Sequence, residues 1–185
     1  MINEAALIEA ASSLDQEALE SIFDEYAPAI YKYLIRRGLG PQEADHTVGD
    51  VFARLLEKLS EGKGPRTNLR AYLFQTAYHL VVDRSRDRQR TAPLEIAETV
   101  EGETKSVHAQ TEEAMLLETL ADAMERELTE EQKNVIVLRF QEGFSLKETA
   151  EIVGKKVNAV KALQNRAMTR LREAMLHEKG GDEDA

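Results

Sequence analysis

Residues 155–172, KKVNAVKALQNRAMTRLR, hold six basic side chains (Lys155, Lys156, Lys161, Arg166, Arg170 and Arg172) and no acid. The chain as a whole carries a formal charge of −10. A basic island on an acidic protein is the electrostatic footprint of a polyanion site. The chemistry open to it is recognition of phosphates and base edges. Lys reaches phosphates or guanine O6 and N7, and Asn pairs bidentately with adenine. Asn158 and Asn165 stand among these cations. Other chemistries find little support. The chain has no cysteine, which excludes disulfides and thiolate metal sites. The four histidines (His46, His79, His108 and His177) are scattered, with no pair at metal-ligand spacing. No phosphate-cradling glycine loop, nucleophile elbow or dinucleotide fingerprint is present. None of the 34 carboxylates is marked out as an acid–base pair, so they read as solvated helix faces. No metal, no cofactor and no enzymatic activity are expected.

The basic island needs a helix placed by a tight turn. Ser145-x-x-Glu148 reads as a capping box that opens a helix running to Val153. Gly154 suits a turn at positive φ, and the basic helix continues to about residue 176. Ala150 is small where two helices would cross, and Val153, Val160 and Leu163 supply their shared core. This is the order of a helix-turn-helix. It leaves Lys156, Asn158, Ala159, Lys161, Ala162 and Asn165 near the outward N-terminal half of the helix, where recognition helices meet the major groove. Arg166 and Arg170 are placed to meet phosphates. The plain alternative is a helical hairpin with a basic solvated face. Lys156 is a poor N-cap, and Thr149 is less apolar than its buried position prefers.

The rest of the chain reads as helix nearly throughout, so the fold class is all-α with two small helical domains joined by a flexible linker. Ser13-x-x-Gln16 predicts a capping box for a helix reaching residue 37, with Pro28 a kink site. A helix over 42–59 turns Val48, Val51, Phe52, Leu55, Leu56 and Leu59 inward. Residues 62–67 form a loop, and Asn68 caps a long helix to about residue 90 with Leu69, Leu73, Thr76 and Leu80 inside. Residues 91–111 are acidic and poor in large apolar side chains, which predicts a linker between domains over 1–90 and 112–177. A helix over 112–127 points Leu117, Leu120 and Met124 inward. Thr129-x-x-Gln132 is another capping box, for a helix with Val135, Ile136, Leu138 and Phe140 ended by Gly143. Residues 178–185 form a charged, frayed tail. No apolar run approaches a membrane span, and the acidic, amphipathic N-terminus is unlike a signal peptide. A cytoplasmic location without membrane insertion is expected.

Both halves together resemble one family. The run Asp45-His46-Thr47-Val48-Gly49-Asp50-Val51-Phe52-Ala53-Arg54-Leu55 resembles the core-binding helix of bacterial sigma factors. Residues 69–83, LRAYLFQTAYHLVVD, resemble their promoter-melting helix, and the segments between Leu128 and Ala167 resemble their C-terminal domain. Size and order are similar to the extracytoplasmic-function (ECF) subfamily of the sigma-70 family. The likeness covers about residues 14–175; no single motif is specific, but their order and spacing are.

The resemblance implies a subunit that makes RNA polymerase promoter-specific. Domain 1–90 would dock on the clamp helices of the polymerase's largest subunit through Asp45, Val48, Asp50, Val51 and Arg54. Asp50 could instead pair with Arg54, four residues on. The same domain would melt the minus-ten element and hold its non-template strand. Lys63, Arg66 and Asn68 would close around a flipped base, while Tyr72, Tyr78 and His79 stack on bases and Arg84, Arg86 and Arg88 track phosphates. Core packing is the reading for Phe74. Domain 112–177 would read the minus-thirty-five element through Lys155, Lys156, Asn158, Ala159, Lys161, Asn165, Arg166 and Arg170, and bind the polymerase flap. The family also implies an anti-sigma partner. The chain departs from the family pattern at Gly49 (usually Gln), at His79 (often Asn) and at Ala162-Leu163 (commonly Ser-Arg). A rival reading is a stand-alone helix-turn-helix regulator whose N-terminal half senses a signal or dimerises. It predicts a dimer and palindromic half-sites. Another is a helical interaction protein without a DNA role.

Overall fold

The computed structural model describes residues 4–91 and 112–180, with the side chains of 4–84 and 115–176. The expected flexible linker and the end of the charged tail lie outside these residues. Every regular element among the described residues is a helix, and the chain divides into two compact units.

The first unit is built from α1 (Glu4–Ser12), α2 (Gln16–Arg36), α3 (Pro41–Ser60) and α4 (Leu69–Thr91). Helix α1 is an addition to the elements expected from the sequence. The residue that caps α2 is Asp15 rather than Ser13. Its carboxylate accepts the Ala18 N–H at 2.9 Å, while Ser13 lies in a turn closed by its own N–H to Ala10 O at 3.0 Å. A carboxylate also suits the positive end of the helix dipole better than a hydroxyl. Helix α2 runs through Pro28 and ends where Gly38 takes φ +82°. Asn68 caps α4 by accepting the Ala71 N–H at 3.1 Å. The core gathers Ile22, Ile30, Tyr33 and Leu34 of α2, Val51 and Leu55 of α3, and Leu69, Leu73, Phe74 and Ala77 of α4. The Tyr33 and Phe74 rings meet at 5.3 Å between centroids, so Phe74 is a core residue. Leu56, expected inside, is 43% exposed.

The second unit holds α5 (Glu112–Glu127), α6 (Glu130–Ile136), a π-helical turn (Val137–Gln141), α7 (Leu146–Val153) as far as Ala150, and α8 (Val157–Gly180). Both predicted capping boxes form: Thr129 with Gln132, and Ser145 with Glu148. Ala123, Leu128, Ile136, Ala167 and Leu171 make the core, with Leu120 and Met124 packed on it. That core begins at Leu120, which leaves Leu117 60% exposed rather than inside. Phe140 is also outside, 55% exposed. Phe140 lies within the π turn, whose wider winding departs from the α-helical spacing that predicts it inside.

Candidate nucleic-acid interface

The turn before α8 is closed as its glycine allows. Gly154 stands at φ +66°, and the Lys155 N–H returns to Ala150 O at 2.9 Å. Helix α8 then buries Val160, Ala167 and Leu171 along one stripe. Lys156, Asn158, Ala159, Lys161, Asn165 and Arg166 are all exposed. Three cations and two carboxamides thus share the start of one helix, with no acid between them. Such a surface can neutralise phosphates and hydrogen-bond base edges.

Two predicted contacts are drawn off by the protein itself. Lys155 is half-buried, its Nζ 2.8 Å from a Glu131 carboxylate oxygen on α6. Arg170 donates from Nη1 to Glu127 O at 3.1 Å, at the end of α5, where a helix carbonyl lacks an internal partner. Both cations thus also brace α8 within the protein. Arg139 is a further residue, absent from the sequence-based set. It sits in the π turn, donates to Gln164 Oε1 on α8 at 3.0 Å and also donates to the Phe144 carbonyl. An arginine inside the apolar run Val137-Leu138-Arg139-Phe140 is its signal in the sequence.

In the first unit α3 and α4 lie side by side, with a groove between them lined by Arg54, Glu57, Lys58, Tyr72, Thr76 and His79. His79 is exposed and Tyr72 half-buried. Burial pushes the Tyr72 phenol above its usual pKa, so it stays a neutral O–H near pH 7. Tyr78, proposed from the sequence for stacking, is only 9% exposed and belongs to the core. On α3, Asp45, Asp50 and Arg54 are exposed. Val48 and Val51 are 7% and 0% exposed, so they serve the core and offer a partner nothing. Asp50 does not pair with Arg54. Its carboxylate accepts from Arg84 Nη2 on α4, while Arg84 Nη1 donates to the Thr47 hydroxyl. Arg84 is thereby a clasp between α3 and α4 rather than an exposed phosphate contact. The side chains of Arg86 and Arg88 lie outside the described residues.

The loop between α3 and α4 opens at Gly62, φ +69°, and closes at Asn68, φ +50°. Any Cβ at Gly64 would run into the Leu59 side chain. Lys63 and Arg66 are exposed, but Lys63 Nζ stands 3.2 Å from the Glu61 carboxylate, which also holds Lys58 at 2.9 Å. Hydrogen bonds from Lys58 and Lys63 hold the Glu61 carboxyl below its ordinary pKa, and Glu61 raises that of Lys58. No group of three or more potential metal-ligating residues occurs among the described residues.

Residues 22–91 match the family model of sigma-70 region 2, and residues 126–173 match that of sigma-70 region 4. The chain belongs to the sigma-70 family. Its relatives place this sigma factor in the ECF group. It is 30% identical over 168 residues to the ECF RNA polymerase sigma factor BldN of Streptomyces coelicolor, covering 89% of this chain and 63% of that one. It is 28% identical over 169 residues to the ECF sigma factor SigX of Bacillus subtilis, covering 86% and 84%. The chain thus spans just under two thirds of BldN and most of SigX. The fold is similar to that of CnrH, solved in complex with the cytosolic domain of CnrY (TM-score 0.66, 23% identity, 98% of each chain). It is also similar to the sigma factor RpoE of Bartonella quintana, solved with the anti-sigma factor NepR (TM-score 0.62, 22% identity, 84% of this chain and 95% of that). Within this sigma factor, region 2 takes in α3, the loop and α4, and region 4 takes in the π turn, α7 and the exposed face of α8. Helix α1 precedes the region 2 match. No helix among the described residues is long and apolar enough to cross a membrane.

Proposed function

We propose that this ECF sigma factor joins core RNA polymerase in the cytoplasm and directs initiation by two separate contacts with promoter DNA, without catalysing a reaction itself. The face of α8 bearing Lys156, Asn158, Ala159, Lys161, Asn165 and Arg166 reads the minus-thirty-five duplex. Loop residues Lys63, Arg66 and Asn68, with Tyr72 and His79 on α4, hold the opened minus-ten strand. Asp45, Asp50 and Arg54 on α3 face the polymerase clamp helices, and the second unit meets the flap. An anti-sigma factor is a further partner. The exposed run Met115, Leu116 and Leu117 on α5 gives a protein partner apolar surface to cover.

The observation that carries this reading is the acid-free, exposed face of α8 inside the region 4 match, in a chain that also carries region 2. With a net charge of −10 the free protein binds duplex promoter DNA weakly, so specificity depends on the polymerase. The test is co-purification with bacterial core polymerase, then run-off transcription from genomic fragments. Failure to bind core sinks the proposal. So does a tight, salt-resistant complex between the isolated protein and duplex promoter DNA.

A further inference from the structure

Helix α1 begins and ends before the region 2 match, yet it is built into the same unit, with Leu7, Ile8 and Ala11 buried. From α1, Glu4 Oε1 accepts the backbone N–H of Leu69 at 3.0 Å, a bond across 65 residues of chain. Leu69 is the first residue of α4, and its N–H is one of the donors that a helix start leaves without an internal acceptor. Asn68 supplies a second acceptor to the same helix end, through the Ala71 N–H. The end of the 62–68 loop is therefore held by one local side chain and one from α1. The body of the loop faces the same helix. Ala5, Ile8 and Ser12 of α1 line a cleft of about 360 Å³ whose far wall includes Leu59, Gly64 and Arg66.

We propose that α1 is a strap for strand capture and that Glu4 is a positioning residue for the base-holding loop. This rests on the assignment of residues 62–68 to the minus-ten strand. Two of the seven loop residues are glycines, Gly62 and Gly64, so the loop left to itself has many conformations to lose. The cost of holding a base out of the stack must be offset by a pocket already in place. Glu4 fixes the point where the loop becomes α4. It thereby fixes Asn68 on one side and Tyr72, one turn along, on the other. Its carboxylate also faces the positive end of the α4 dipole, which favours the contact.

The test uses reconstituted holoenzyme with wild type, Glu4→Ala and Glu4→Gln on a promoter that the wild type opens. A 2-aminopurine scan of the non-template minus-ten strand reports capture of each base, and core affinity is measured separately. Glu4→Ala should lower capture about fivefold, the worth of one helix-start hydrogen bond, with core affinity unchanged. Glu4→Gln, which keeps an acceptor oxygen, should recover most of the loss. Exchange of the Leu69 amide in the full chain should speed up in Glu4→Ala. Unchanged capture in Glu4→Ala overturns the inference while the proposed function stands. A capture loss matched by lost core affinity also overturns it, since α1 would then merely support the fold. Wild type that fails to bind core removes the proposed function and the strap together.

Discussion

Replacing Arg84 tests how α3 and α4 are joined. Arg84 on α4 reaches two groups on α3, the Asp50 carboxylate and the Thr47 hydroxyl. The Asp50 side chain is 50% exposed and that of Arg84 32%, so water screens the ion pair. A pair of this exposure contributes about 0.2–1 kcal/mol. The Thr47 bond adds about 1 kcal/mol, because that residue is fully buried. Losing Arg84 does not orphan the Thr47 hydroxyl, which still donates to Glu43 O at 2.7 Å. Arg84→Ala should therefore cost about 1–2 kcal/mol and Asp50→Ala about 0.5–1 kcal/mol. The double variant should show a coupling of about 0.5 kcal/mol. Urea titrations of the four proteins measure this cycle. Core affinity supplies an independent reading. Asp50→Ala should weaken core binding, whereas Arg84→Ala leaves the Asp50 carboxylate available and should not. A coupling indistinguishable from zero would refute the clasp. Equal loss of core affinity in both single variants would show that Asp50 acts only through Arg84.

Thr149 is fully buried, and its hydroxyl has no hydrogen-bond partner among the described residues. Thr149→Val should raise stability by about 1 kcal/mol in a urea titration, with minus-thirty-five binding intact. Glu61→Gln should release Lys58 and Lys63, raising single-strand affinity and steepening its salt dependence by about one unit of slope. The sign with pH is set by the depressed Glu61 pKa. Its hold on Lys63 persists at and above the ordinary carboxylate range and is lost only as pH falls through the lowered value, so wild type and Glu61→Gln should converge there. Lys161→Glu and Arg166→Glu in the holoenzyme should each cut minus-thirty-five binding strongly. Arg170→Ala should instead lower stability and leave sequence preference unchanged.

The fold is legible in the sequence where periodicity and caps act locally. The Thr129 and Ser145 boxes, the Asn68 cap and the Gly154 turn need only neighbours in sequence, and each forms. The rest is decided by partners far along the chain. The pattern of α3 shows Asp50 and Arg54 on a shared face, and nothing in that pattern shows that Arg84 approaches from α4. Val48 and Val51 lie in the segment that resembles the docking helix, but the helix turns their side chains into the core. Tyr78 has the chemistry of a stacking residue, and its register in α4 buries it. The N-terminal segment reads as amphipathic, but the four alanines of α1 and its weak segregation of polar and apolar residues give too little periodic signal to mark a separate helix. The π turn that contains Phe140 has no local signature either, and its Arg139 bonds Gln164, 25 residues along the chain.

These distant partners share a pattern of charge. Several cations off the DNA-reading faces have an acid or a carbonyl beside them: Asp50 at Arg84, Glu131 at Lys155, and the Glu127 carbonyl at Arg170. Lys133, nearly buried, is held by Glu125 and Glu130. The six cations of residues 155–172 therefore overstate the binding surface. If all six met phosphates, the logarithmic salt slope would be about −5, but the four other than Lys155 and Arg170 give only about −4. The acidic composition has the same effect, since it pins cations that would otherwise bind DNA nonspecifically and leaves a narrow reading face. Neither the α8 face nor the loop needs to bind tightly. Under the proposed function, carried on one chain and held by one polymerase, each raises the effective concentration of the other. Promoter specificity then comes from satisfying both at once, and an isolated half retains little of it.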